Sequence, residues 1–152
     1  MPAPDAMQPR EMPHASPVHG PLLPPRPRAI GGLRRLCLRR ADGTTQDLRV
    51  RVADAFRSRL LGLMLQRRWP ADCDALLLTE CRAVHMAFMH LELDVVYLDA
   101  SGSVVGVVET LRPWRASVAF AREARHALEL AAGSVLAWRL HAGDRLLPAH
   151  PW

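Results

Sequence analysis

VHMAFMHLELDVVYLDASGSVVGVV (residues 84–108) decides the fold reading. Its second half is the clearer part. DVVYL (94–98) and SVVGVV (103–108) are runs rich in β-branched residues, and DASG (99–102) lies between them. Such runs suit a pleated sheet, and a glycine closing a short linker supplies the left-handed residue of a hairpin turn. The first half, VHMAFMHLELD (84–94), gathers two histidines, two methionines, a phenylalanine and two carboxylates. Taken as the central strand of a sheet, its side chains alternate. His85 then falls with Ala87 and Met89, and His90 falls with Glu92 and Asp94.

Working outward, more strands follow. Leu33–Leu38 and Leu48–Val52 flank ADGTTQ (41–46), where Asp42-Gly43 is a strong hairpin signal. ALLLT (75–79) is a short apolar run of the buried-strand kind. ARHALEL (124–130) alternates and is read as a strand ended by Gly133, and Arg145–Leu147 is a last short strand. One clear helix is expected over Ala55–Gln66, capped by Asp54, with Phe56, Leu60, Leu63 and Met64 on one face. Ser134–Leu140 is expected to form a second, short helix. Strands outnumber helices and several are joined by hairpin turns. The fold class is therefore mainly β, an antiparallel β-sandwich or jelly-roll-like barrel with one flanking helix.

Nine of the thirteen prolines lie between Pro2 and Pro27, so residues 1–29 are expected to form a disordered leader. A single globular domain over 30–148 and a tail at 149–152 follow. No run approaches the roughly 20 apolar residues of a membrane-spanning helix. No basic start followed by an apolar stretch marks a secretory signal. With three cysteines (Cys37, Cys73, Cys81), the chain reads as a cytoplasmic protein, where thiols stay reduced; export would instead allow a Cys73–Cys81 bridge. All twenty basic residues are arginine and the net charge is +5. Only eight residues are Phe, Trp or Tyr. A nucleic-acid binder shows a basic stripe interleaved with aromatics, so no nucleic-acid partner is expected.

Four sets of residues carry chemistry. Cys81, His85 and His90 are metal-ligand types, but strand alternation splits them and no tight ligand spacing is present, so no metal or cofactor is expected. Cys81 with His85 would be a thiolate pair, though lone cysteines mostly pack as small apolar residues. Glu92 and Asp94 share a strand face and could divide acid and base roles, although an aspartate at a strand border more often satisfies backbone amides. LRPWR (111–115) places Trp114 between two arginine forks, a composition suited to carboxylates, phosphates or an interaction hot spot. These converge on a polar-rimmed cleft of His85, Asp94, Arg112, Trp114 and Arg115. Met64, Met86, Phe88 and Met89 would form its wall or the core. The expected function is binding of a small ligand or protein partner there. The alternatives are a metal-assisted or hydrolase-like enzyme using His85 and Asp94, and an accessory protein of cell-envelope, pilus or secretion machinery.

RLLGLM (59–64), VHMAFMHLELDVVYLD (84–99), LRPWR (111–115), HALELAAG (126–133) and HAGDRL (141–146) occur in an order and spacing that resemble the bacterial and archaeal "domain of unknown function 192" family. The resemblance runs over roughly residues 33–147. It singles out His85, Met89 and Asp94 as matching positions, and marks His90 and Glu92 as departures. It implies a jelly-roll-like β-sandwich and brings no established biochemical role.

Overall fold

In the computed structural model, residues 32–53, 63–64 and 66–148 are described. The fold is mostly β. Seven strands form one mixed sheet in the order β6 (Val104–Leu111), β5 (Leu93–Asp99), β8 (Ala124–Ala131), β3 (Ala75–Leu78), β2 (Thr45–Ala53), β1 (Leu33–Arg39), β9 (Arg145–Pro148), and β4 (Ala83–His85) and β7 (Ala116–Val118) form a second, two-stranded sheet.

β1 (Leu33–Arg39) and β2 (Thr45–Ala53) pair antiparallel around the Asp42-Gly43 turn. Gly43 sits at φ 86°, and one Asp42 carboxyl oxygen accepts from both the backbone N–H and the hydroxyl of Thr44. A polar side chain in place of water holds the turn, as its residue types dictate. β3 (Ala75–Leu78) then runs parallel to β2. Arg49 and Arg51, on β2, are paired with Asp74 and Asp72, which precede β3. The two ion pairs fix the return of the chain.

β5 (Leu93–Asp99) and β6 (Val104–Leu111) form the second hairpin. One Asp99 oxygen accepts from Ser101 N–H, Ser101 Oγ and Ser103 N–H, and Gly102 takes the left-handed position. β8 (Ala124–Ala131) lies between β5 and β3 at the centre of the sheet. A short helix, α1 (Ser134–Trp138), follows, and β9 (Arg145–Pro148) pairs with β1. The sheet curls until its outer strands meet at one bridge, Ser103 with Arg145, without closing into a barrel.

Alternation along these strands makes two apolar layers. The inner face of the curl holds Leu36, Leu48, Val50, Leu77, Val96 and Leu128, plugged by Val135 and Leu140 from α1 and beyond. The outer face holds Leu76, Leu78, Leu93, Val95, Tyr97 and Ala127, covered by Val84, Met86 and Met89. A sheet apolar on both faces explains strands such as LDVVYLD, buried at six of seven positions.

The hairpins, the β8 strand and the last strand stand where the sequence places them. The helix expected over Ala55–Gln66 lies almost wholly outside the described residues; at its end Gln66 N–H bonds to Leu63 C=O in a turn. The leader over 1–29 and the tail over 149–152 also lie outside them. The second helix is shorter than its pattern, ending at Trp138 because Arg139 turns left-handed.

The stretch 84–94 is not one strand. β4 (Ala83–His85) ends after three residues, and β5 starts at Leu93. Phe88 lies at φ 59°, and Met89 N–H bonds back to Met86 C=O. A left-handed residue reverses the chain and breaks the alternation. Among the described residues, no helix is long and apolar enough to cross a membrane.

Candidate functional site

LRPWR turns the chain from β6 into β7 (Ala116–Val118). Pro113 fixes its own backbone, and Trp114 takes φ 62°. Two hydrogen bonds lock this turn to the turn after β4, Met86 N–H to Arg115 C=O (2.8 Å) and Trp114 N–H to Met86 C=O (2.9 Å), and Arg115 N–H to Arg112 C=O (3.2 Å) closes the turn itself. The rings of Phe88 and Trp114 meet edge to face, with centroids 5.1 Å apart at 65°. Both are largely exposed, Phe88 at 54% and Trp114 at 68%. Two bulky residues in left-handed backbone cost of order 1–3 kcal/mol each, and such strain gathers at functional sites.

β4 and β7 carry this pair on a small platform. Their register sets Ala83 opposite Val118, Val84 opposite Ser117 and His85 opposite Ala116. Val84 faces inward, and Ser117 accepts a hydrogen bond from the Tyr97 hydroxyl at 3.0 Å, which ties the platform to β5. Burial pushes the Tyr97 phenol above its ordinary value. The outward face carries Ala83, His85, Ala116 and Val118. Beyond β7, Ala119 turns inward and Phe120 projects outward, 100% exposed.

The structure places the residues of the expected cleft as follows. His85, Trp114 and Arg115 lie on or beside this face, and all are exposed. Arg112 makes a loose pair with Glu92, 3.8 Å apart and open to solvent. The side chains of Arg115 and His85 form no hydrogen bond or ion pair with other described residues.

Asp94 does not join the rim. It is fully buried on the inner face of the sheet, where its two oxygens accept from Thr110 N–H (2.9 Å) and Val135 N–H (2.8 Å). It therefore satisfies one donor of the left-handed Thr110 turn and one of the first turn of α1. His85 sits on the platform that covers the opposite face, so the two share no cleft. Glu92 precedes β5 and is exposed while Asp94 is buried, so this carboxylate pair does not form. Phe88 is no core residue, because its left-handed turn swings the ring outward. Met86 and Met89 are buried in the outer layer, and Met64 packs half-buried against it. No disulfide joins Cys37, Cys73 and Cys81, and Cys81 Sγ lies 3.1 Å from Ala83 C=O. Among the described residues no group of three or more His, Cys, Asp or Glu is set to hold a metal.

One chemical group was hidden in the sequence. Glu129, on β8, is 7% exposed and stands between Val95 of β5 and Leu76 of β3 in the outer layer. It has no hydrogen-bond or ion-pair partner among the described residues. No enclosed side-chain oxygen there lacks a partner, so its carboxyl oxygens keep a thread of contact with solvent. Burial pushes the carboxyl up from 4.5 to about 7. The signal was the alternation of ARHALEL, which puts Glu129 with Ala127; only the cover on the outer face turns that position into an interior one.

The same segments are shared with other proteins. The model of the DUF192 family, described as Uncharacterized ACR, matches residues 38–147. The chain is 37% identical over 99 residues to UPF0127 protein PH1112 of Pyrococcus horikoshii, covering 64% of this chain and 84% of that protein. It is likewise 37% identical over 101 residues to UPF0127 protein PF1050 of Pyrococcus furiosus, covering 65% and 85%. A crystal structure of R01717 from Sinorhizobium meliloti 1021, named as a candidate transcription regulator, superposes with a TM-score of 0.67 at 30% identity, covering 79% of this chain and 96% of that one. A protein of unknown function from Novosphingobium aromaticivorans DSM 12444 superposes with a TM-score of 0.66 at 14% identity, covering 82% and 94%. The chain belongs to the DUF192 family.

Proposed function

We propose that this protein is a binding module rather than an enzyme, and that it binds a carboxylate- or phosphate-bearing partner on the outward face of the β4–β7 platform. The observation that supports this most is the Phe88–Trp114 pair. Two exposed aromatic rings are held by left-handed backbone and reciprocal hydrogen bonds, beside an Arg115 side chain that makes no ion pair with another described residue. A pre-set aromatic platform with an open guanidinium recognises anions in two-point fashion, and its low residual freedom reduces the ordering cost of binding. The enzyme reading through His85 and Asp94 has no support, since the sheet stands between them and Asp94 already serves two backbone donors.

The test follows the Trp114 indole N–H by NMR, identified by its loss in Trp114→Phe. Titration with inorganic phosphate and with a short glutamate-rich peptide is expected to move this resonance in the parent and not in Arg115→Ala. Shifts of equal size in Arg115→Ala, or no shift with either probe, would overturn the reading.

A further inference from the structure

The outward face carries more apolar surface than anion recognition requires. Phe88 and Trp114 project at one end, Val118 lies in the middle at 61% exposure, and Phe120 projects at the other end. These side chains come from three loop tips and one strand. A fully exposed Phe120 has no groove wall around it, so this surface does not cradle a peptide. Isolated aromatic tips instead suit a lipid interface, where rings sit at headgroup depth.

Charge points the same way. Segments 82–92 and 112–125, which build this face and its borders, contain five arginines against Glu92 and Glu123, a net of +3 with histidine neutral. Arg82, Arg115 and Arg122 are exposed around the aromatic tips. Arginine rims keep their charge at headgroup level while their stems lie against apolar surface. Such residues are attracted to an anionic leaflet, and the attraction fades with salt.

We infer that the β4–β7 face docks peripherally on an anionic bilayer surface, with Phe88, Trp114 and Phe120 entering the headgroup layer and the arginines contacting lipid phosphates. This rests on the anion-binding reading above and names its partner.

The experiment is co-sedimentation of the full chain with vesicles of phosphatidylcholine alone and with one quarter phosphatidylglycerol. Binding is expected on the anionic vesicles only, weakening as salt is raised. Arg115→Glu and Arg122→Glu should each weaken it by about fivefold or more. Phe120→Ser should weaken it with no effect on folding, since that ring touches nothing. Leu136→Ser, on exposed α1 away from the platform, should leave it unchanged. Spin-labelled lipid should broaden the Trp114 indole resonance before those of other tryptophans. Equal binding to neutral vesicles, or full binding by Phe120→Ser, would overturn the inference. So would Trp114 shifts with the glutamate-rich peptide or a short DNA duplex but none with vesicles, an outcome that leaves the anion reading standing. Silence from every probe removes both.

Discussion

Two buried carboxylates behave oppositely because of what surrounds them. Asp94 offers both oxygens to backbone donors, the N–H groups of Thr110 and Val135. Charge-assisted bonds of this kind contribute about 1.5–3 kcal/mol each. Asp94→Ala is therefore expected to cost roughly 4 kcal/mol in chemical denaturation, with Asp94→Asn intermediate. A loss under 1 kcal/mol would mean that water replaces the carboxylate. Glu129 meets apolar neighbours instead, and its carboxyl is raised from 4.5 to about 7. The unfolded chain releases this proton first, so the stability it favours is complete below about pH 4.5 and is lost as pH climbs to about 7. That interval amounts to roughly 3 kcal/mol. His126 acts in the other direction. Burial lowers it below 6.5, so acid removes stability as the unfolded histidine charges. Glu129→Gln should remove the falling limb and leave the His126 limb, read as denaturation midpoints across pH 5–8. An unchanged slope would show that Glu129 is ionised throughout.

At the scale of elements, the legible parts are those whose local chemistry and tertiary place agree. Asp42-Gly43 and Asp99–Gly102 carry their own side-chain bonds and appear as turns regardless of what packs on them. The stretch 84–94 was misread because period-two reasoning assumes an unbroken strand, whereas Phe88 adopts a left-handed turn that a bulky residue gives no hint of. Its neighbours then change sides, and Phe88 becomes a surface anchor. The border position of Asp94 pointed to a structural role, yet its place on the cleft rim was the wrong expectation, because the donors it serves lie on elements far along the chain. The short helix α1 offers a clean measurement. Gly133 starts it at φ 86°, and an added Cβ would meet nothing within 4 Å. Gly133→Ala should thus cost only the conformational penalty, about 1–2 kcal/mol by calorimetry. A larger loss would show crowding that the open space does not predict.

Among the described residues, the main sheet is curled and carries apolar matter on both faces. The mainly β class was readable from strand count and hairpin signals. The parallel β2–β3 pair was not, because its partners are brought together by a long connection and by the Arg49–Asp74 and Arg51–Asp72 pairs. Cys73 reports on this assembly. It is 3% exposed, and burial raises its thiol further from reactivity. Cys37 and Cys81 are more open. A thiol reagent is expected to modify Cys73 only at the rate of global opening, with Cys37→Ser, Cys81→Ser used to isolate it. Rapid labelling under native conditions would reveal a local opening beside β3.

The pairing of β9 with β1 also dictates a sequence of events at the ribosome. Leu36 finds its partner in Pro148, and Leu38 in Leu146. During synthesis, β1 and β2 emerge early and can zip together at once. The other side of β1 must then stay bare while every intervening strand is translated. An uncovered strand edge invites pairing with another nascent chain. Completion of the inner layer is thereby deferred until β9 has been made, and a product lacking β9 is exposed to intermolecular strand exchange along β1.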